Sequence, residues 1–236
     1  VNVKLLAQFA GLGQSCSLGL PVARFFLREL YHVIGSPHDW GANVRLTRQA
    51  LQDLQWWARL HTSRLHREGG PLWKPATTAV LHCDAAKEAR HAGWGAVLNN
   101  FLQARGYFRP KQLKWHITRL ELLAVRLAVE SFLPELTGKV VRLMEDNQAV
   151  VQIIKNGASK SPELMSDLRE LYWLLDSHRI TLRPEYIRSE DNVIADHLSR
   201  MTDDNDWQVH PAMFAEYNRR WGPHHVDRFA TSLNAQ

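Results

Sequence analysis

A chain of 236 residues, 45% hydrophobic and 22% charged, has room for one sizeable domain with an appendage or for two small domains. No uninterrupted apolar run approaches the roughly 20 residues that span a bilayer, and the basic, apolar and small-residue order of a signal peptide is missing, so a soluble, intracellular protein of cytoplasm or nucleus is expected. Cys16 and Cys83 stand far apart and build neither a disulfide framework nor a CxxC metal knuckle, which suits a reducing compartment.

In chain order, the first third reads as helices. Val3 to Leu12 is apolar, Pro21 can open a second helix through Ile34, and Leu46 to His61 repeats Leu51, Leu54 and Trp57 at helical spacing. The stretch from His66 to Thr78 carries Gly69, Gly70, Pro71 and Pro75 and reads as a linker. Three short apolar or alternating segments follow, AVLHCDAA, GWGAVLN and FLQARGYF, whose close spacing predicts an antiparallel meander. A helix is then predicted over Thr118 to Leu133, a strand over Lys139 to Glu145, and helices over Asn147 to Lys155 and Pro162 to Ser177. A strand over Thr181 to Ile187 and a short helix over Asp191 to Arg200 close the module. A meander followed by right-handed crossovers gives a mixed five-stranded sheet with flanking helices. The expected division is therefore a helical region with linker over 1–75, an α/β domain over 76–200 and an extension over 201–236. The extension opens on Asp203, Asp204 and Asp206 and holds one helix near Pro211 to Arg220.

The formal net charge of +5 is unevenly distributed. Residues 1–75 hold nine Lys/Arg against four Asp/Glu, while the remainder holds twenty of each, so the surplus lies in the helical region. Such a flank suits a polyanion and equally suits an ordinary solvated helical surface. Among the twelve histidines, His61 with His66 and His224 with His225 lack the register and Cys partners of a zinc site.

Four acids carry the chemistry. Asp84 lies inside an otherwise apolar strand, where a charge is costly unless it is paired or holds a cation. Asp146 ends the fourth strand; if that strand runs parallel to the first, both carboxylates face one crevice at the strand ends. An Asp-Asn pair before a helix is also a capping signal. Glu121 fits a capping box with Thr118, yet it lies on the opposite side of its helix from Arg119, among Leu120, Leu123, Ala124 and Leu127, where metal ligation gives it a reason to point inward. Asp196 points away from the stripe of Ile194, Ala195 and Leu198, and its position alone reads as a solvated acid. Separated carboxylates of this kind suit hard cations: Mg²⁺ prefers oxygen ligands, and two such ions ~4 Å apart can drive an in-line phosphodiester displacement.

With these residues in place, HCDAA, GWGAVL, HITRLELLAV, EDNQAVV and NVIADHLSR, in that order, make residues 77–200 resemble the ribonuclease H domain of retroelement reverse transcriptases. The resemblance implies a ribonuclease H-like fold and metal-dependent hydrolysis of the RNA strand of an RNA/DNA hybrid. It also implies Mg²⁺ or Mn²⁺, two ions, as cofactor, with Asp84, Glu121, Asp146 and Asp196 as catalytic metal ligands. Gly93 and Gly95, in the strand beside Asp84, and Asn147 are expected at the substrate, the glycines because backbone can approach a ligand most closely where side chains are missing. LLAQFAGLGQS, LTRQALQDLQWWARL and WGPHHVDRFATSLNAQ are similar to segments flanking the nuclease in DIRS-class, tyrosine-recombinase retrotransposons. Residues 1–75 then resemble a thumb or connection region, with a polymerase domain or subunit as a partner. Two departures stand out: NGASKSP is too short for the basic protrusion of the cellular enzymes, and IRSEDNV lacks the histidine of the loop before the last helix. The rival readings are a domesticated retroelement fragment acting as a nucleic-acid or protein-binding module, and an integrase-like or Holliday-junction nuclease. Retention of all four acids favours an enzyme over the first; the meander, the helix glutamate and the LSR-ending final helix argue against the second.

Overall fold

Alternating apolar residues pair into a five-stranded sheet of order β3-β2-β1-β4-β5. The strands are β1 Ala79–Lys87, β2 Ala92–Leu98, β3 Leu102–Tyr107, β4 Val140–Glu145 and β5 Thr181–Tyr186. The first three form the meander that their short connections predict, while β4 runs parallel to β1 and β5 parallel to β4. This is the mixed five-stranded sheet expected from the sequence. The computed structural model describes residues 1–36, 39–60, 75–88, 92–201 and 211–223. Most of the linker expected at 66–78, the acidic turn at 203–206 and the four histidines weighed for zinc lie outside them. No helix among the described residues is long and apolar enough to cross a membrane.

The helices are α1 Val3–Ser15, α2 Arg28–Ile34, α3 Arg48–Leu60, α4 Ile117–Ser131, the single turn α5 Leu133–Leu136, α6 Gln148–Asn156, α7 Pro162–Ser177, α8 Val193–Arg200 and α9 Pro211–Trp221. Residues Val1–Arg200 form one compact unit and 201–236 a second. Near the site, α4 packs on β1 and β2, and α8 packs on β1 and β2 as well. The α6 helix ends where Gly157 adopts φ +60°, the left-handed conformation that closes helices at low cost only for glycine.

Two helical expectations need correction. The segment from Pro21 does not run as one α-helix: Pro21–Leu27 is a 3-10 helix that leads into α2. Three successive side chains, Phe25, Phe26 and Leu27, are all buried, and three residues per turn aim them in three directions. Phe25 stacks on Tyr172 of α7 at 4.4 Å, Phe26 stacks on Trp56 of α3 at 4.2 Å, and Leu27 joins the cluster between α1 and α2. In α3 the buried face is Ala50, Asp53 and Trp56, while Leu51, counted on the apolar stripe, is 48% exposed. Asp53 is wholly buried and forms an ion pair with Arg169 of α7, and Trp56 Nε1 donates to Asp176 Oδ2 at 2.9 Å. These polar ties between α3 and α7 override simple amphipathicity, because a buried carboxylate or indole N–H needs a partner. Trp56 and Trp57 are thus packing residues, the latter donating to the Phe26 carbonyl at 3.1 Å.

One stability consequence is local to α1. A Cβ on Gly11 would meet nothing within 4 Å, so Gly11→Ala is expected to raise unfolding free energy by about 0.5–1 kcal/mol through reduced backbone entropy. Denaturant titration at unchanged slope checks this.

Candidate metal centre

The parallel pairing of β1 with β4, from Ala79 opposite Val141 to His82 opposite Met144, brings the following residues, Asp84 and Asp146, to the same end of the sheet. Asp84 is buried in the strand, with Gly95 of β2 as its cross-strand partner. At the end of β4, Asn147 is the residue that caps α6: its Oδ1 accepts from Ala149 N at 3.1 Å and from Val150 N at 3.3 Å. Capping is thereby taken over by the neighbour, and Asp146, half-buried, is left to face the crevice. Asn147, expected at the substrate, has its side-chain oxygen committed to this cap.

Glu121 is brought to the same point by α4. The capping box expected between Thr118 and Glu121 does not form, because His116 is the N-cap and its Nδ1 accepts from Thr118 N at 3.3 Å. Glu121 therefore sits a turn inside the helix, 4% exposed and aimed at the sheet. The opposite side of α4 meets α7 through ion pairs, Arg119 with Asp167 at 2.5 Å and Arg126 with Glu170 at 2.9 Å. That arrangement fixes the rotation of α4 and with it the inward direction of Glu121. Asp84, Glu121 and Asp146 each offer a carboxylate oxygen, and these oxygens all lie within 4.8 Å of one another.

Asp196 does not join that group. It is on α8, its side chain 39% exposed, and Arg200 Nε donates to its Oδ1 at 2.8 Å while Arg200 Nη1 donates to Glu88 at 2.7 Å. Its charge still acts on Asp84, raising that residue's proton affinity. The apolar stripe of α8 also differs from expectation: Ala195, Leu198 and Ser199 are buried, whereas Ile194 is 39% exposed.

Burial dominates the electrostatics. It pushes the Asp84 carboxyl up to about 6, opposed by the Ser199 hydroxyl and reinforced by the charges of Asp146 and Asp196. Glu121 is raised well above its ordinary value, by burial first and then by Glu145, Asp84 and Asp146. Its Oε2 is buried and has no hydrogen-bond partner. An orphaned carboxylate oxygen beside two more carboxylates is a costly arrangement that a hard, oxygen-seeking cation relieves. The donor set consists of carboxylates alone and fits Mg²⁺ or Mn²⁺ in preference to softer ions.

Two residues of the site went unrecognised in the sequence. Glu145 is fully buried, and burial raises its carboxyl to about 8; strand alternation through Val141 and Leu143 points it inward and was the available signal. Ser199 Oγ donates to Asp84 Oδ2 at 2.5 Å and lies 2.8 Å from the Asp196 carbonyl. Its place one turn after Ala195 on the buried side of α8 was the only hint.

Gly95 requires a further correction. A Cβ there would lie 2.4 Å from the Ala195 carbonyl oxygen, 2.5 Å from Leu198 Cβ and 2.5 Å from Ser199 N. The close approach that needs glycine is made by α8 and not by a substrate. Gly93, paired with Ala86 and Tyr107, lies on the same face of β2 two residues away.

No family model matches the chain, and no curated protein matches it. Among solved structures it is similar to LC11-RNase H1, isolated from compost and solved in complex with an RNA/DNA hybrid, at 17% identity over 54% of this chain and 98% of that one, with a TM-score of 0.47. It is similar also to RNase H1 of the archaeon Halobacterium salinarum, at 17% identity over 51% of this chain and 93% of that one, with a TM-score of 0.44. The N-terminal RNase H domain of a Mycobacterium tuberculosis protein, solved as a fusion with maltose binding protein, is similar at 17% identity over 61% of this chain and 99% of that one, with a TM-score of 0.45.

Proposed function

We propose that this chain is a metal-dependent endonuclease that hydrolyses the RNA strand of RNA/DNA hybrids, derived from a retroelement reverse transcriptase of DIRS-like type. The observation that supports it most is the convergence of Asp84, Glu121 and Asp146 from three separate elements around the unpartnered Glu121 oxygen. In this reading they would hold Mg²⁺ or Mn²⁺, two ions, with Asp196 as the fourth ligand. Cations held there would supply polarisation of the scissile phosphate and a lowered proton affinity for an attacking water. The protein's own part is positional: β1 and β4 bring Asp84 and Asp146 to the same end of the sheet, α4 delivers Glu121, and α8 carries Asp196 and steadies Asp84 through Ser199. The segment from Phe101 to Arg119 holds five Lys/Arg and no acid. It is tied to the end of β1 by Lys87 Nζ donating to the Trp115 carbonyl at 2.7 Å, which suits a phosphate backbone passing beside the acids. Gly93 and the Asn147 amide are proposed substrate contacts, and residues 1–75 are read as a thumb or connection region that a polymerase domain or subunit would adjoin.

Substrate choice tests the reading. Cations bind phosphate without distinguishing sugars, so selectivity depends on contacts to the 2′-hydroxyl. With Mg²⁺ or Mn²⁺, the protein is expected to cut the RNA strand of a labelled hybrid while sparing its DNA strand and duplex DNA. Equal cutting of both strands would indicate a general nuclease, and tight hybrid binding without cutting would indicate a binding module.

A further inference from the structure

Backbone pairing between β1 and β4 stops at His82 and Met144, two residues before the strands deliver their acids. Side chains continue the connection. Cys83 Sγ donates to Glu145 Oε2 at 3.2 Å, and Glu145 Oε1 accepts from Asn147 N at 3.2 Å. Cys83 and Glu145 are both fully buried. The carbonyl of Cys83 in turn accepts from Asn192 Nδ2 at 2.9 Å, just ahead of α8. One carboxyl group thus grips the residue before Asp84 and the residue after Asp146, where the ladder no longer sets their separation.

We infer that Glu145 is a positioning residue that holds Asp84 and Asp146 at cation-binding distance through its hydrogen bonds to Cys83 and Asn147. The inference rests on the proposed metal centre and adds a residue that does not itself bind the ion. Partners lying behind metal ligands typically change affinity by roughly 10- to 100-fold when removed.

Calorimetric titration of the full chain with Mn²⁺ and with Mg²⁺, alongside thermal unfolding without metal, tests it. Glu145→Leu fills a similar volume without either hydrogen bond and is expected to weaken cation binding by roughly 10- to 100-fold, with metal-free stability equal to or above that of the parent. Glu145→Gln keeps an acceptor for Asn147 and a polar group for Cys83, and should bind within about threefold of the parent, a small fraction of the loss that removal of such a partner brings. Parental affinity in Glu145→Leu would overturn the inference. An equal loss in both variants would overturn it too, because the charge and not the hydrogen bonds would then matter, as for a direct ligand. If Glu145→Leu does not fold, Cys83→Ala serves: weakened binding beside an intact Glu145→Gln supports the role, and unchanged binding overturns it. A parent protein that takes up neither cation would overturn both this inference and the nuclease reading.

Discussion

Asp84→Asn is expected to lower Mg²⁺-dependent hybrid cleavage by more than about a hundredfold, beyond the usual loss from an outer partner of a metal ligand, while making the metal-free protein more stable at neutral pH. The reason is the direction of the Asp84 shift. Burial, with Asp146 and Asp196 nearby, holds its carboxyl at about 6 in the folded protein against 3.8 ordinarily. Below about pH 4 the proton is bound in both states and stability is greatest. As pH rises from there through 6 the unfolded chain releases its proton first, so stability falls. At about 1.4 kcal/mol for each tenfold in proton affinity, this one group costs roughly 3 kcal/mol at pH 8. The Asn variant, whose side-chain oxygen can still accept from Ser199, should therefore melt about 6 to 12 °C higher than the parent at pH 8 without metal, and much less so near pH 4. Glu145, held at about 8, carries the same trend of the parent to higher pH. Added Mg²⁺ should stabilise the parent more at pH 8 than at pH 5 and stabilise the variant little, by mass action on a site that has lost a ligand. Melting curves over pH 4 to 8, with and without Mg²⁺, read all of this. An Asp84→Asn protein with undiminished cleavage would remove Asp84 from the site.

Gly95→Val should unseat the last helix of the domain. Its Cβ would meet backbone atoms of Ala195 and Ser199 at 2.4 and 2.5 Å, and backbone cannot turn away as a long side chain can. Overpacking of a tight core ordinarily costs about 1–3 kcal/mol and occasionally more; with a helix backbone as the obstacle, the upper end, about 3 kcal/mol, is expected. For a chain of this size that lowers the melting temperature by roughly 6–12 °C. Displacement of α8 would also break the Ser199 bond to Asp84 and move Asp196, so cleavage and the Mg²⁺-induced rise in melting temperature should fall together. A variant with parental stability and metal response but weaker cleavage would restore the substrate-lining role first expected of Gly95.

Removal of residues 1–75 is a poor test of their basic character. Phe25, Phe26 and Trp56 belong to the same buried cluster as the sheet, and Asp53 is the buried partner of Arg169. Deletion would strip that core and remove the buried partner of Arg169, so folding and charge would change together. Substitution of individual surface cations, read through the salt dependence of hybrid binding, separates charge from folding.

Much of this protein was determined by the order of its residues alone. Short apolar or alternating runs located the five strands, helical spacing located α4, α6 and α7, and the short connections between AVLHCDAA, GWGAVLN and FLQARGYF required a meander, because these are local properties of the chain. Inward-facing Asp84 and Glu121 were legible for the same reason: each interrupts an apolar face. What tertiary structure alone decided depends on contacts between segments far apart in sequence. Only the docking of α3 on α7 turned Asp53 inward in place of Leu51, since its partner Arg169 lies 116 residues away. Only the approach of α8 to β2 explains Gly95, and only the end of the β1–β4 ladder makes Glu145 the tie between Cys83 and Asn147. Asp196 shows the division within one residue: its motif points to the metal site, but its carboxylate lies with Arg200, because the balance between ion pair and ligation is a matter of distances that no local pattern encodes.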